Sequence, residues 1–263
     1  MKISRHIFAG LSVIVLLLLF GCQASSIKLP SGISPVQATW LYGKYSIPAT
    51  YVGSGKTFHF QQGVGEPLWT TLAAANLKTG AKVPVVLYLH GCKGMSRQAD
   101  RFNDLLVSAG YAVFMPDSFK RPGRRQCGEQ GTLRERVALR IEEVEYAFAR
   151  IKEMAWVDQN RVMLMGFSEG GNATDNWSST GFAGLLVMGS ACTLVGGKPA
   201  APVGTPVLAV VGADDEYRPG KSCSIDESDG VSKSIVIQGA GHAVAQYPET
   251  QEAIRTFLRK CCS

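Results

Sequence analysis

A short apolar run at 161–165 leads straight into Gly166-Phe167-Ser168-Glu169-Gly170-Gly171. This Gly-x-Ser-x-Gly junction constrains the fold more than any other part of the sequence. It predicts a strand that turns sharply into a helix, with Ser168 at the apex in strained backbone geometry and glycines where neighbouring chain must approach closely. A serine hydroxyl is a poor nucleophile until it is held clear of its own backbone and a base takes its proton. The junction meets the first condition. The second requires an acid and a histidine further along the chain.

Segments on either side alternate between the two hydrophobic periods. Residues 83–89 are a near-continuous apolar run, as in a strand buried on both faces. A helix over 98–109 ends at Gly110, and a strand follows over 111–115. Thr132-Leu133-Arg134-Glu135 is a capping box, in which the threonine hydroxyl bonds the amide three residues on and the glutamate reaches back. Beyond it, Val137, Ile141, Val144, Phe148 and Ile151 form one apolar helical stripe, read as core. Further strands are expected at 162–165, 185–188, 207–211 and 234–237, and a last helix over 249–259. Between residues 40 and 60, short apolar stretches broken by Pro48, Gly53 and Gly55 suggest edge strands. The alternation predicts an α/β domain with a mostly parallel central sheet and helices on both faces.

In such sheets the working residues gather beyond the carboxyl ends of the strands. Ser168 follows one strand, Asp214 and Asp215 follow another, and His242 follows the last, within Gly239-Ala240-Gly241-His242. His242 is the candidate base, and an aspartate on its other ring nitrogen would fix the tautomer and stabilise the imidazolium that forms. Of the two aspartates Asp215 is preferred. The backbone N–H groups of Glu169 and Cys92 are the candidate oxyanion donors, the Glu169 carboxylate being read as facing solvent. His90, which ends a strand, is expected to brace the oxyanion loop through hydrogen bonds.

These pieces resemble the dienelactone hydrolase family of α/β-hydrolases. The matching motifs are Leu89-His90-Gly91-Cys92, Gly110-Tyr111-Ala112, Asp117-Ser118-Phe119, the Ser168 junction, Gly212-Ala213-Asp214-Asp215-Glu216-Tyr217 and Gly239-Ala240-Gly241-His242, across residues 83–258. The resemblance implies an α/β-hydrolase fold and no cofactor, and it assigns the acid to Asp215; with no C-x-x-C pair and no histidine clustered with cysteines, no metal is expected. The founding members use a cysteine nucleophile. With Ser168 in that position, general carboxylester hydrolysis on a small-molecule ester is the expectation rather than dienelactone hydrolysis. By the same resemblance, Cys92, Cys127, Cys192 and Cys223 staple loops near the site. Residues just after the sheet ends or the junction (Phe119, Trp177, Tyr217 and Met95) are candidates for an apolar acyl pocket. The basic run at 120–125, with Arg124 and Arg125, is a candidate attractor for an anionic substrate or lipid headgroup.

The first residues belong to targeting. Lys2 and Arg5 precede an apolar run over 7–20, as in a secretory signal peptide over 1–21. Leu19-Phe20-Gly21-Cys22 resembles the lipobox of bacterial lipoproteins, so Cys22 is the expected lipidation site, 22–36 a tether and 37–263 the hydrolase domain. Acyl chains at ~0.8 kcal/mol per buried methylene would hold the domain on the membrane. The expected location is the bacterial cell envelope, on the periplasmic side of the outer membrane, with a soluble secreted form as the alternative. Cleavage before an acylated Cys22, or ordinary cleavage after Ala24, leaves six cysteines free to pair (Cys92, Cys127, Cys192, Cys223, Cys261 and Cys262), a number that suggests disulfides in an oxidising compartment and allows fifteen pairings. A net charge of +6 is too mild to imply nucleic acid. Two other functions use the same residues: a peptidase of the same fold, and a non-catalytic envelope-binding lipoprotein.

Overall fold

The computed structural model describes residues 29–61, 76–124, 127, 131–217 and 220–261. The expected leader, Cys22, Arg125 and Cys262 lie outside the described residues. The elements are α1 (Pro35–Leu41), β1 (Lys44–Ile47), β2 (Phe58–Gln61), β3 (Val83–Leu89), α2 (Arg97–Ser108), β4 (Ala112–Met115), α3 (Leu133–Lys152), β5 (Val157–Phe167), α4 (Glu169–Asp175), β6 (Gly184–Met188), β7 (Val207–Gly212), β8 (Lys233–Ile237) and α5 (Pro248–Lys260).

One eight-stranded sheet runs β2-β1-β4-β3-β5-β6-β7-β8. β1 lies antiparallel to β2 and β4, and every pairing from β4 to β8 is parallel. β3, β4, β6 and β7 are buried along their whole length, which explains their unbroken apolar sequences. Strand alternation divides the core. Val85, Leu87 and Leu89 pack on one face with Val137, Val144 and Ile151 of α3 and with Trp177. Val86 and Tyr88 pack on the other with Phe102 and Leu106 of α2 and Ile254 and Phe257 of α5.

Of the edge strands expected from residue 40, β2 lies at the sheet edge, β1 is a strand paired on both sides, and Trp40 lies in helix α1. Ser34 accepts the Gln37 amide while the Gln37 side chain accepts the Ser34 amide, and Pro35 takes the first helical position. That capping box is the cause of the helix, and it starts the helix two residues before the expected domain boundary at 37. On α3 the expected box is present: the Thr132 hydroxyl accepts the Glu135 amide and Glu135 accepts the Thr132 amide.

Parallel register determines where chemistry can collect. Leu89 pairs with Gly166, Phe167 with Met188, and Gly212 with Ile237. The loops leaving β3, β5, β7 and β8 therefore emerge from one edge, carrying His90 to Cys92, Ser168, Asp215 and His242.

Candidate active site

Ser168 sits at φ 57° and ψ −114°, one of two non-glycine residues with positive φ among those described. Such a conformation costs on the order of 1–3 kcal/mol and persists only where its surroundings impose it. Here the Ser168 amide donates to the Met188 carbonyl at 2.8 Å, and the Ser168 carbonyl accepts from both the Asn172 amide and the Asn172 side chain at 2.9 Å. A β-carbon on Gly166 would stand 2.1 Å from the Gly170 carbonyl oxygen, and one on Gly170 would stand 2.1 Å from that of Leu89. The turn closes only because both positions lack side chains.

The three distant residues meet. His242 Nε2 lies 2.8 Å from Ser168 Oγ, and His242 Nδ1 lies 2.7 Å from Asp215 Oδ2. A carboxylate beside Nδ1 requires that nitrogen to carry the proton, which leaves Nε2 to accept from the serine hydroxyl. The other Asp215 oxygen accepts the Tyr217 amide at 2.9 Å, so the fully buried carboxylate is held at both ends. Asp214 is exposed and gives its amide to the Ala240 carbonyl. Glu216, which sequence reasoning missed, accepts the His242 amide at 3.1 Å. Phe167 and Tyr217 flank the imidazole at ring separations of 4.9 and 4.8 Å. Only the adjacency of Glu216 to Asp215 could have signalled its role.

His90 is fully buried, and its hydrogen bonds fix its form. The Ser118 amide donates to Nε2 at 3.0 Å, so the ring proton is on Nδ1, which donates to the Gly91 carbonyl at 2.7 Å. That carbonyl belongs to the Gly91–Cys92 peptide, so the imidazole orients the Cys92 N–H. Arg140, also fully buried, donates to the His90 carbonyl at 3.2 Å and faces Glu143 at 3.3 Å. Periodicity gave no sign that α3 would turn these charged groups inward.

Burial, and then Arg140, hold the His90 pKa well below 6.5. Its stabilising contribution is therefore complete above the unfolded value of about 6.5 and is lost as pH falls below it, where the unfolded chain binds a proton that the native state refuses. We expect the wild type to lose about 1–2 kcal/mol more unfolding free energy than His90→Gln between pH 7 and pH 5, measured by urea denaturation. Asp117, 3.8 Å from Nε2, is unchanged in that comparison.

A cavity of about 520 Å³ opens over Ser168, lined in part by Cys92, Glu169, Tyr217, His242, Lys93 and Arg97. Both candidate oxyanion residues thus border it, and so does Tyr217. A larger groove of about 670 Å³ lies between β8 and α5, away from the triad. The other pocket candidates lie elsewhere. Trp177 is buried in the core against Phe182, where its apolar ring is better placed than at a wet rim. Phe119 stacks on His90 at 5.5 Å, and Met95 packs on the α2 face. Arg124 is not a free cation on the rim: it pairs with Glu169, and their side chains are 1% and 2% exposed. The same pair overturns the reading of the Glu169 carboxylate as solvent-facing, because Arg136 binds its second oxygen at 2.9 Å. Cys92 is bonded to Cys127, and Cys192 to Cys223.

Residues 71–257 match the dienelactone hydrolase family. No curated protein sequence matches the chain. Among solved structures, Est1E from Butyrivibrio proteoclasticus with ferulic acid bound aligns at TM-score 0.50 and 18% identity, over 68% of this chain and 89% of that one. Esterase PE8 aligns at 0.49 and 17%, over 70% and 94%, and the phospholipase/carboxylesterase from Dyadobacter fermentans at 0.48 and 17%, over 69% and 91%. At such identities the likeness is one of fold, the α/β-hydrolase fold.

Proposed function

The chain belongs to the dienelactone hydrolase family, and on that premise we propose that it is a serine carboxylesterase acting through an acyl-enzyme. The observation that carries this reading is the unbroken hydrogen-bond chain Asp215–His242–Ser168. His242 takes the Ser168 proton as Oγ attacks the ester carbonyl, then passes it to the departing alcohol. Water repeats the sequence to release the acid. Asp215 keeps the imidazole in the required tautomer and stabilises its cation. The Cys92 and Glu169 amides are the donors for the oxyanion. The two disulfides support the expectation of an exported protein folded in an oxidising compartment.

Charge around the cavity narrows the substrate. Lys93 and Arg97 are exposed at its lining, and Arg101 adds a third cation held by Gln246. On the acidic side, Glu169 is neutralised by two arginines and Glu216 is engaged by the His242 amide. An ester bearing a negative group is favoured over its neutral counterpart. Initial rates on p-nitrophenyl acetate and on a p-nitrophenyl ester of a dicarboxylic acid test both parts of the reading. We expect turnover of both, and a loss of about fivefold in kcat/KM per charge for Lys93→Gln and Arg97→Gln on the anionic ester only, shrinking with added salt. Equal losses on both esters would remove the charge argument. No turnover of any ester would favour the binding-protein reading, and cleavage of peptides in preference to esters would favour a peptidase.

A further inference from the structure

The two amides assigned to the oxyanion belong to different segments, that of Cys92 to the loop after β3 and that of Glu169 to the start of α4. Their side chains, however, are tied to a single short piece of chain. Cys92 is disulfide-bonded to Cys127. Arg124, three residues earlier, is paired with the Glu169 carboxylate. Three residues of chain reach at most about 11 Å, so both attachments belong to one small element.

The attachment at Arg124 is built in detail. Its Nε donates to Ser118 Oγ at 2.9 Å, and Ser118 Oγ donates to Glu143 at 2.7 Å. Ser118 also gives its amide to His90, the ring that orients the Gly91–Cys92 peptide. Arg136 holds the other side of Glu169. A carboxylate and a guanidinium buried to this degree lose hydration that their mutual attraction barely repays, so the pair is a poor source of stability. Position is what it supplies: it fixes the residue after the nucleophile relative to the segment that holds Cys92.

We propose that Arg124 and Cys127 form a strap that sets the spacing between the two oxyanion donors, which makes Arg124 and the Cys92–Cys127 disulfide positioning elements and ties turnover to the oxidation state of that disulfide. The proposal rests on the esterase reading above. Dithiothreitol would supply the two electrons and two protons that convert the bond to two thiols, leaving as its own cyclic disulfide.

The test compares wild type, Cys127→Ser, Arg124→Gln, their combination and Arg124→Lys on p-nitrophenyl acetate, with thermal unfolding recorded for each. Removing one oxyanion donor outright costs about 10²–10³ in kcat, so a loosened donor is expected to cost about tenfold in kcat with little change in KM. Arg124→Lys should recover part of that loss. The combined variant should lose little more than either single one, because both release the same element. Unchanged kcat in the folded single variants, or losses that multiply, would overturn the strap. If Cys127→Ser does not fold, Arg124→Gln and titration of the folded wild type with dithiothreitol decide: turnover that survives reduction of Cys92–Cys127, shown by thiol alkylation and mass mapping, overturns it equally. The parent reading is scored separately by fluorophosphonate labelling of the wild type. A labelled, active wild type with indifferent strap variants defeats the strap alone, whereas an unlabelled, inert wild type defeats the esterase reading.

Discussion

Ser168→Ala is expected to lower kcat on p-nitrophenyl esters by about 10⁵–10⁶ and to abolish fluorophosphonate labelling. The substitution removes one oxygen and nothing else. The β-carbon stays, so the turn at φ 57° keeps its geometry, as do the hydrogen bonds from Ser168 N to Met188 and from Asn172 to the Ser168 carbonyl. What disappears is the atom 2.8 Å from His242 Nε2. Members of such a triad act as a unit, so deleting the nucleophile costs nearly as much as deleting all three, and what remains is the contribution of binding and the oxyanion donors. Thermal stability should stay close to that of the wild type. Ester turnover that survives in a folded variant no longer labelled by the fluorophosphonate would falsify the assignment of the nucleophile.

Asp215→Asn should cost about 10⁴ in kcat, and the hydrogen bonds show why. One carboxylate oxygen accepts the Tyr217 amide and the other faces His242 Nδ1. An amide in this place has a single carbonyl oxygen, and the Tyr217 N–H claims it. The NH₂ group then points at Nδ1, which must become an acceptor. The ring proton moves to Nε2, where it opposes the Ser168 hydroxyl rather than receiving its proton. Shape is kept and the base is lost. Asp214→Asn is the matched control: that side chain is exposed, and kcat should change less than twofold. Equal losses from the two substitutions would show that the buried carboxylate does not orient the imidazole.

The parts of the molecule that could be read from the sequence are those specified by local pattern. β3, β4, β6 and β7 are wholly buried, so their sequences are unbroken apolar runs, and the Gly166 to Gly171 junction needs its glycines because carbonyls lie 2.1 Å from where β-carbons would be. Ser168, Asp215 and His242 could be picked out because each follows a strand. Side-chain destinations set by distant partners could not. Arg124 reads as one more cation in a basic loop until Glu169, 45 positions away, takes it out of solvent. Arg140 and Glu143 read as the polar side of a helix until His90 and Ser118 draw them inward. Trp177 follows the nucleophile closely in sequence, yet the core claims its ring. Helix α1 lies across the expected tether and edge-strand region, yet its local signal is as strong: Ser34, Pro35 and Gln37 spell a helix start as clearly as Thr132 and Glu135 do.

The shared edge from which the loops after β3, β5, β7 and β8 emerge has an engineering corollary. The reactive oxygen, base and acid stand at the carboxyl ends of β5, β8 and β7, while the cations bordering the cavity, Lys93, Arg97 and Arg101, are exposed side chains on the loop after β3 and on α2. Selectivity is in this sense interchangeable hardware: these three exposed side chains can be replaced one at a time to admit other acids or alcohols, with the Cys92 amide, the buried side of α2 and the machinery for breaking the bond left where they stand.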